Sequence, residues 1–459
     1  MDVPLIFKYV NDLFNHQFWI PSFPNSLVHT TIDSGSWFRF SCFLNPNPIN
    51  FSPIGDPTFI PTNETVYHSY KIKFYPTDEQ KVVFHNWFES YRIMCNETNK
   101  KIKQLKFETG KYVTNWKTLR DKHMKPIKAN IISIHKLPAH IADCAIKDVC
   151  AKYKSSISNG HKRFRIRYKK QSSPNKYFNT EIQYISKEFK HAFCIRILGN
   201  TIHPENNFSL HNITSDFTIQ YKSLTDTYYL VIPEEVYKKT RITTKTIGLD
   251  IGGDTFLTGY TDDKCIKIGH KVANTIWPIL RKIDRINNTV RNNELKSKLV
   301  KKQNIKLENL IDELHWKVIN YLTKNYGTIY LGNLSTKRIV SKKCNLPEKW
   351  KRIMLALSVG KFKDRLKYKC KAKGVELHLV NEYMTSKTCG LCYNINKNLK
   401  ETARIFECSH VNYNVQPKFG KPIKKKKFKI DRDMNGARNI MLRGIYENRI
   451  KVIWGNVIN

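Results

Sequence analysis

The stretch that decides the fold runs from Thr246 to Lys271 and reads TIGLDIGGDTFLTGYTDDKCIKIGHK. It contains three short apolar segments in succession, and the pair Gly252–Gly253 forms a turn after the first of them. This pattern predicts three consecutive β-strands. Asp250 lies inside the first strand, where a carboxylate is costly unless it is paired or binds a metal. The stretch therefore predicts the start of a sheet that carries an acidic site.

Downstream of this stretch, segments with helical and strand periodicity alternate. They are predicted, in order, as charged helices at about 274–325, a strand at 327–334, a helix at about 348–372, a strand at 375–380 and a final helix at 433–447. Three strands followed by helix, strand, helix, strand and helix give an α/β order with one mixed sheet. This is the order of the RNase H-like fold, which we expect for this half of the chain.

The first half of the chain gives weaker signals. Residues 1–65 show no sustained period, so neither a fold nor a role is assigned to them. The segment 67–76 alternates as a strand, and Thr77 with Gln80 forms a capping box that begins a helix. A second helix is expected at about 139–156, because apolar residues repeat there every four positions.

Three further segments of the first half have the period-two pattern of strands. They are RFRIRYKK (163–170), FCIRILG (193–199) and a hairpin at 217–233 that turns at 223–226. Together with the strand at 67–76 they would form a small β-barrel. The helical segment at about 77–160 would be inserted into that barrel.

The chain is strongly basic, since 79 Lys and Arg against 38 Asp and Glu give a net charge of +41 over 459 residues. This surplus exceeds what solubility requires, so a polyanion is the expected partner. Nucleic acid is favoured over a membrane because no run of about 18 apolar residues occurs. The N-terminal sequence MDVPLIFKYVNDLF lacks a signal-peptide cleavage site, which indicates an intracellular protein.

Two basic stretches are candidates for nucleic-acid contact. The arginines of RFRIRYKK share one face of the predicted strand, which is either a solvated edge or a surface that meets phosphates. The lysines of KFGKPIKKKKFK (418–429) form a solvated loop, a nuclear-import signal or a strip that guides a DNA strand. The candidate residues are Arg163, Arg165, Arg167, Lys424, Lys425, Lys426 and Lys427.

Two aspartates are candidates for metal-dependent hydrolysis. Cleavage of a phosphodiester through two Mg²⁺ ions needs several carboxylates that converge. Asp250 is central on the first strand, and Asp433 opens the last helix, from which its carboxylate can project toward that strand. Each has a structural alternative: a turn residue beside Gly252, and a first-turn acid on the helix dipole with Asp431 as the N-cap.

The eleven cysteines do not form a disulfide framework, since eight of them stand alone at irregular spacing. Cys389 and Cys392 form a Cys-x-x-Cys turn that is typical of one half of a tetrahedral Zn²⁺ site. Cys408 and His410 are the nearby candidates for the other half. The alternative is a degenerate ribbon that is held by packing alone.

Several separated motifs resemble those of TnpB and its eukaryotic and viral relatives, the Fanzor proteins. GLDIGGDTFLTGYT, TSKTCGLC with FECSH, and DRDMNGARNI are similar to the RuvC and zinc-ribbon signatures of that family, and YKIKFYPTDEQ and LPAHIADCAIKDVCAKYKSSI resemble its opening strand and recognition-lobe helices. Such proteins are transposon-encoded, RNA-guided DNA endonucleases. They use an untranslated element RNA as guide and require a short motif beside the target.

The sequence departs from this family at the second acid of the nuclease site. Gly332 occupies the position of the usual glutamate on the fourth strand, which either inactivates the nuclease or moves the acid. The end of the fifth strand lies about 4.8 Å from the fourth, within reach of a glutamate side chain. The resemblance implies that Glu382 is this relocated acid, with Asp254 and Glu348 as weaker substitutes. A second departure is the Cys-x-His spacing at Cys408, where the family has Cys-x-x-Cys.

The resulting prediction is a multidomain α+β protein. The expected domains are an N-terminal extension of unknown role (1–65), a wedge-like β-barrel (66–76 and 161–235), a helical recognition domain (77–160), a RuvC-like nuclease domain in two parts (246–385 and 426–459) and a zinc ribbon with a basic loop (386–425). The expected catalytic and Mg²⁺-binding residues are Asp250, Glu382 and Asp433. The expected Zn²⁺ ligands are Cys389, Cys392, Cys408 and His410.

The expected partners are a guide RNA derived from the element and a double-stranded DNA target, with no membrane. We expect a monomer bound to RNA, in the nucleus if the host is eukaryotic, including infection by a eukaryotic virus. Two alternatives remain open. One is an RNA-guided DNA-binding protein that no longer cuts, which Gly332 favours and the three acids oppose. The other is a transposase that acts on element ends without RNA.

Overall fold

The computed structural model describes residues 28–32, 37–44, 59–160, 164–241, 245–261, 264–341, 344, 346–390, 394–400, 403–415 and 424–455. At 28–32, 43–44, 59–66, 236–241, 409–415, 424–428 and 448–455 it describes the backbone alone. The chain divides into two compact units. We refer to Tyr67–Val236 as the inserted unit, and to Met1–Val66 with Tyr237–Asn459 as the outer unit.

The described strands and helices are numbered in chain order. The strands are β1 (Val28–Ile32), β2 (Phe40–Leu44), β3 (Phe59–Phe74), β4 (Asn175–Thr180), β5 (Phe217–Lys222), β6 (Thr227–Arg241), β7 (Thr246–Ile251), β8 (Thr255–Tyr260), β9 (Lys264–His270), β10 (Thr328–Gly332), β11 (Glu376–Val380), β12 (Ile405–Val415) and β13 (Lys424–Asp431). The helices are α1 (Asp78–Thr109), α2 (Trp116–Leu119), α3 (Lys125–His135), α4 (Ala139–Ser158), α5 (Ile195–Leu198), α6 (Ala273–Thr289), α7 (Asn293–Asn325), α8 (Thr336–Ile339), α9 (Glu348–Ala356), α10 (Val359–Lys373) and α11 (Arg432–Gly455).

The inserted unit packs α1 and α4 against a four-stranded sheet of order β3-β6-β5-β4. The predicted capping box is confirmed, since the Thr77 side chain accepts from the Gln80 N–H and the Gln80 side chain accepts from the Thr77 N–H. The predicted hairpin is also confirmed, because Lys222 pairs with Thr227. The pairings of the described strands form an open sheet, without the closure that the predicted barrel requires.

The predicted strand at 163–170 is wrong for residues 164–170, which are irregular. Polar side chains of α1 take the backbone hydrogen bonds that a neighbouring strand would otherwise form. Asn99 Nδ2 donates to the Ile166 carbonyl at 3.2 Å, and Asn96 Oδ1 accepts from the Lys169 N–H at 2.8 Å. The segment therefore lies along a helix and is not part of the sheet.

The alternation of side chains in this segment persists without a strand. Phe164 and Ile166 pack against the core of the inserted unit, while Arg165 and Arg167 are exposed. Arg163 lies outside the described residues.

The predicted strand at 193–199 is also wrong. Ile195–Leu198 forms the single helical turn α5, between Cys194 at φ 45° and Gly199 at φ 72°. Left-handed backbone at both ends of so short a segment is incompatible with an extended strand. In contrast, β4 was not predicted, because NKYFNT carries few of the apolar residues that mark strands.

The outer unit contains a seven-stranded sheet of order β1-β2-β9-β8-β7-β10-β11. β7, β8 and β9 pair antiparallel, whereas β10 is parallel to both β7 and β11. The predicted mixed sheet is therefore confirmed. The helix expected at about 348–372 is interrupted, since α9 and α10 are separated at Ser358, which has a left-handed φ of 47°.

The strands β1 and β2 come from the segment to which the sequence assigned no fold. β2 pairs antiparallel with β9 and so extends the sheet at one edge. Phe38 and Phe40 are buried in the core of the outer unit, and the Trp37 indole donates to the Leu310 carbonyl at 3.2 Å. Residues 28–44, where described, are thus an integral part of this sheet.

Strand β7 lies between two layers of helices. Ile247, Leu249 and Ile251 face a core formed with α7 and α10, and the intervening residues face α11. A Cβ added at Gly248 would lie 2.6 Å from Met441 Cβ, so only glycine allows α11 to pack this closely on the strand. Because side chains alternate along a strand, Asp250 also lies on the α11 side.

The basic segment expected as a loop is in part a strand. Lys424–Asp431 forms β13 and pairs antiparallel with β12, with an irregularity in register between Cys408 and Asn412. The consecutive lysines lack the polar and apolar alternation by which strands are predicted, which explains the difference. Of the described helices, none combines the length and the apolar character needed to cross a membrane.

Candidate active site

The three acids that the sequence singled out line one cavity of about 340 Å³ in the outer unit. Asp250 comes from β7, Glu382 from the loop after β11, and Asp433 from the first turn of α11. The other residues that line the cavity are Ile251, Gly252, Gly253, Asp254, Leu334, Thr385, Ser386, Lys387, Leu399, Lys400, Arg404 and Arg432. Residues that are far apart in the chain are therefore brought to one site.

The Asp250 carboxylate lies against the first turns of α11. A Cβ added at Gly436 would lie 2.9 Å from Asp250 Oδ2, so the absence of a side chain at 436 leaves room for the carboxylate. The same helix carries Asp433 three residues earlier. Gly436 thereby lets the Asp250 carboxylate approach the helix that carries Asp433.

Asp431 caps the start of α11, as the sequence predicted in one of its two alternatives. Its Oδ1 accepts from the Asp433 N–H at 2.9 Å and from the Met434 N–H at 3.1 Å, which satisfies two donors at the start of α11. Its Oδ2 pairs with Lys267 Nζ at 2.5 Å. Asp433 is next to this cap, and its Oδ1 lies 3.3 Å from Arg432 Nη2. Asp431 fixes the helix start, and Asp433 faces the cavity.

Glu382 occupies the space left by a missing side chain. A Cβ added at Gly332, the last residue of β10, would lie 2.8 Å from Glu382 Cδ and 2.9 Å from its Cγ. Gly332 pairs in register with Val380, two residues before Glu382. The Glu382 Oε1 is buried and accepts no hydrogen bond from the residues that the structure describes. An orphaned carboxylate oxygen of this kind is suited to a cation.

The site perturbs the pKa of two of its acids. Loss of water around Asp250 raises its pKa well above the usual value, and the charges of Asp433 and Glu382 add to that rise. Burial raises the pKa of Glu382 to about 7, although Lys363 opposes the shift. Carboxylates that repel one another in a dry site are stabilised when a cation binds among them.

The Asp250→Asn variant is expected to be more stable than the wild type when no divalent cation is present. The raised pKa means that the folded protein holds this proton more tightly than the unfolded chain, so stability falls as the pH rises above about 3.9. Asparagine removes the charge at every pH. We expect a melting temperature a few degrees higher at pH 8 in EDTA, and a smaller difference toward pH 5.

The matched control is Asp364→Asn, which changes an exposed aspartate of α10. It is expected to melt as the wild type does at both pH values. Equal melting of Asp250→Asn and wild type at pH 8 would contradict the electrostatic strain at Asp250.

The weaker candidate acids differ in position. Asp254 lines the cavity and lies 3.4 Å from Arg404 Nη2, so its charge is partly neutralised. Glu348 begins α9 and is not one of the residues around the cavity. Within the described ranges, no set of three or more His, Cys, Asp or Glu side chains has ligand geometry for one metal ion. Asp250, Glu382 and Asp433 thus share a cavity without forming a closed ligand shell.

Four basic residues, which were not predicted from the sequence, also line the cavity; we refer to them as the basic wall. It consists of Lys387, Lys400, Arg404 and Arg432. In a chain with so many basic residues, no local sequence signal distinguishes these four. A cavity that is lined by both carboxylates and cationic groups suits a substrate that carries phosphate, because acids can hold cations and basic groups can contact phosphate oxygens.

The predicted zinc site lies only in part within the described residues. Cys389 and Cys408 are buried in one apolar cluster with Phe406 and Met434. The Cys389 N–H donates to the Asn394 carbonyl at 2.9 Å. Cys392 lies outside the described residues, and the side chain of His410 is not described. The four-ligand set stays a prediction.

The predicted nucleic-acid residues are described only in part. Arg165 and Arg167 belong to the inserted unit and are exposed. The four lysines 424–427 lie on β13, and their side chains are not described. Their role stays a prediction.

Comparison with known families gives two matches. The family model described as "Cas12f1-like, TNB domain" matches residues 360–416, and one described as "Helix-turn-helix domain" matches residues 66–98. In this structure, residues 66–98 form the end of β3 and the first part of α1. The first match covers α10, β11, the Glu382 loop and β12.

Similar proteins extend over nearly the whole chain. A TnpB-like protein of Acanthamoeba polyphaga mimivirus is 30% identical over 472 residues, which cover 93% of this chain and 86% of that protein. A putative transposase of the same virus is 23% identical over 465 residues, covering 94% and 91%. A solved structure of Cas12f1 in complex with sgRNA and target DNA gives a TM-score of 0.45 at 13% identity, covering 82% of this chain and 99% of that chain.

Proposed function

Because the chain belongs to the TnpB family, we propose that it is an RNA-guided, Mg²⁺-dependent DNA endonuclease encoded by a transposon-like element. It would hydrolyse phosphodiester bonds at guide-matched targets beside a short adjacent motif. The proposed catalytic residues are Asp250, Glu382 and Asp433. The outer unit would supply an RNase H-like, RuvC-type nuclease domain.

The observation that carries this proposal is the fit between Glu382 and Gly332. The glutamate side chain fills the volume that any larger residue at 332 would need. This fit supports the proposal that Glu382, from the neighbouring strand end, replaces the acid that is absent from β10. This complementarity supports an active nuclease over a protein that has lost its second acid.

The strand order supports the proposed fold. β7 is an interior strand of the sheet, with β8, which is antiparallel to it, on one side and β10, which is parallel to it, on the other. The three acids come from β7, from the end of β11 and from the helix that covers β7. The end of β11 lies beside the end of β10, the strand on which the resemblance places the usual second acid, so an acid from either strand end could converge with Asp250 and Asp433.

In the proposed mechanism, the three carboxylates provide hard oxygen ligands for divalent cations. When bound, two Mg²⁺ ions would supply the positive charge that holds the attacking and leaving oxygens of the phosphodiester in line. The orphaned Oε1 of Glu382 and the raised pKa of Asp250 fit this donor set. Lys387, Lys400, Arg404 and Arg432 would contact phosphate oxygens of the DNA strand and orient it in the cavity.

A structural Zn²⁺ bound by Cys389, Cys392, Cys408 and His410 belongs to the proposal. Its support is the burial of Cys389 and Cys408 in one cluster. Such a site would stiffen the segment that follows Glu382. The expected domain boundaries are likewise retained as proposals.

A guide RNA would provide the sequence specificity through base pairing, as in other RNA-guided effectors. The net charge of +41 supports binding of two polyanions, the guide and the DNA. Arg163, Arg165, Arg167 and Lys424–Lys427 are proposed to contact nucleic-acid backbone. The mimivirus relative that is 23% identical is described as a putative transposase, so a transposase that acts without RNA stays the alternative proposal.

The direct test is purification of the full chain from cells that carry the flanking element DNA. We expect a defined RNA to copurify, and the complex to cut a plasmid library with a randomised sequence beside the target when Mg²⁺ is added. Protein that copurifies no RNA and cuts element ends would favour the transposase. Protein that holds RNA and binds matched DNA, but leaves it uncut, would favour an inactive binder.

The Mg²⁺ requirement is expected to depend on pH. Because the pKa of Glu382 is raised to about 7 and that of Asp250 is also raised, protons compete with the cation as the pH falls below about 7. We expect the Mg²⁺ concentration for half-maximal cleavage to rise about tenfold between pH 8 and pH 6. Cleavage rates across a Mg²⁺ titration at each pH would measure this. An unchanged midpoint would contradict proton competition at these acids.

A further inference from the structure

Helix α11 presents a buried polar face that the proposed chemistry does not use. Asn435, Arg438 and Asn439 are at most 1% exposed and lie on one side of the helix, three and four residues apart. Buried amide and guanidinium groups are costly unless they are hydrogen-bonded. Their partners therefore indicate what this face holds.

The partners are backbone groups of the segment that follows Glu382. Asn439 Nδ2 donates to the Thr385 carbonyl at 2.7 Å and to the Thr388 carbonyl at 2.8 Å. Asn435 Nδ2 donates to the Thr388 carbonyl at 2.7 Å, and its Oδ1 accepts from the Gly390 N–H at 3.0 Å. Arg438 Nη1 donates to the Gly390 carbonyl at 2.5 Å. Three side chains of one helix thus hold the backbone from 385 to 390.

This held segment is connected tightly to Glu382. The Thr385 N–H and hydroxyl both donate to the Glu382 carbonyl, at 3.1 and 2.9 Å. The Thr388 hydroxyl donates to the Met384 carbonyl at 2.8 Å, and Met384 has a left-handed φ of 63°. Movement of the 385–390 backbone would therefore move Glu382.

We propose that Asn435, Arg438 and Asn439 are positioning residues that fix Glu382 relative to Asp433. Asp433 opens the helix whose side chains hold the Glu382 segment, so one rigid element sets the placement of both acids. Asn439 is the key member, because of these three side chains it is the one that donates to the Thr385 carbonyl, three residues after Glu382. The inference rests on the proposed function in one respect, namely that Glu382 and Asp433 bind divalent cations.

The test is direct measurement of Mn²⁺ binding to the full chain by electron paramagnetic resonance, without any cleavage. Removal of a group that orients a ligand typically costs about 10- to 100-fold in metal affinity. We expect Asn439→Ala to bind Mn²⁺ about tenfold more weakly than the wild type. Asn439→Ser, which retains one donor, is expected to give an intermediate affinity and serves if the alanine variant does not fold.

The matched control is Asn99→Ala in the inserted unit. Asn99 is also buried, with 2% of its surface exposed. Its side-chain amide donates to the backbone carbonyl of Ile166 at 3.2 Å. It is expected to lower the melting temperature and leave Mn²⁺ affinity unchanged. A lower melting temperature with unchanged affinity in both Asn439 variants would overturn the positioning role, as would an equal loss of affinity in Asn99→Ala. Absence of Mn²⁺ binding by the wild type would instead overturn the proposed metal site.

Discussion

The Glu382→Ala variant is expected to cut guide-matched DNA about two to four orders of magnitude more slowly than the wild type, the usual cost of removing one catalytic group. Glu382 is the proposed replacement for the acid that β10 lacks, and its buried Oε1 accepts no hydrogen bond from the described residues. Guide-RNA binding and DNA binding are expected to be unchanged. The measurement is single-turnover cleavage in Mg²⁺, with DNA affinity determined in parallel.

Glu376→Ala is the matched control for this variant. Glu376 begins the same strand, β11, and is exposed. Its replacement is expected to leave the cleavage rate unchanged. Undiminished cleavage by Glu382→Ala would remove Glu382 from the catalytic set, and an equal loss in both variants would point to damage at the strand instead.

The Gly332→Ala variant is expected to lose about 100-fold in cleavage rate while it retains its fold, since a displacement of about 1 Å in an active site has that effect. The added Cβ would overlap the Glu382 carboxyl group, which is the flexible end of a side chain and can move aside. The fold therefore tolerates the change, but the acid is misplaced. Cleavage rate and melting temperature, measured on the same preparation, separate these two effects.

Gly360→Ala provides the control, because a Cβ at that position of α10 meets no other atom within 4 Å. It is expected to cut as the wild type does. The double variant Gly332→Glu with Glu382→Gly exchanges the two positions and is expected to recover at least about tenfold in rate over Glu382→Gly alone. Failure of this exchange, together with full activity of Gly332→Ala, would contradict the spatial replacement.

Much of the outer unit could be predicted from the sequence, because its strands and helices carry clear periods. The alternation through Leu249, Asp250 and Ile251 places the acid on one face of a buried strand. The capping residues at Asp431 likewise mark the start of α11. These signals are local, which is why they can be read from single segments.

The features that could not be predicted from the sequence depend on contacts between residues that are far apart in the chain. The strands β1 and β2 become visible only as an extension of β9, since their own sequence shows no sustained period. The residues 164–170 have the alternation of a strand, but side chains of α1 take their backbone hydrogen bonds. Similarly, the basic wall of the cavity assembles residues from three different segments.

The close contact between Gly332 and Glu382 could be predicted from the sequence only in part. The sequence showed that an acid was absent at 332 and that a glutamate followed the next strand. Only the packing of the two strand ends reveals that the glutamate fills the vacant volume. A glycine inside a segment with the pattern of a strand is the sequence signal for such a close approach.

The central claim is that Asp250, Glu382 and Asp433 bind divalent cations together. Its most direct test is a structure of the protein with guide RNA and target DNA in Mn²⁺, in which the cations are located by their anomalous scattering. We expect the Mn²⁺ positions to contact all three carboxylates, with Glu382 as a ligand. Mn²⁺ bound by Asp250 and Asp433 while the Glu382 carboxylate contacts no cation would contradict the account.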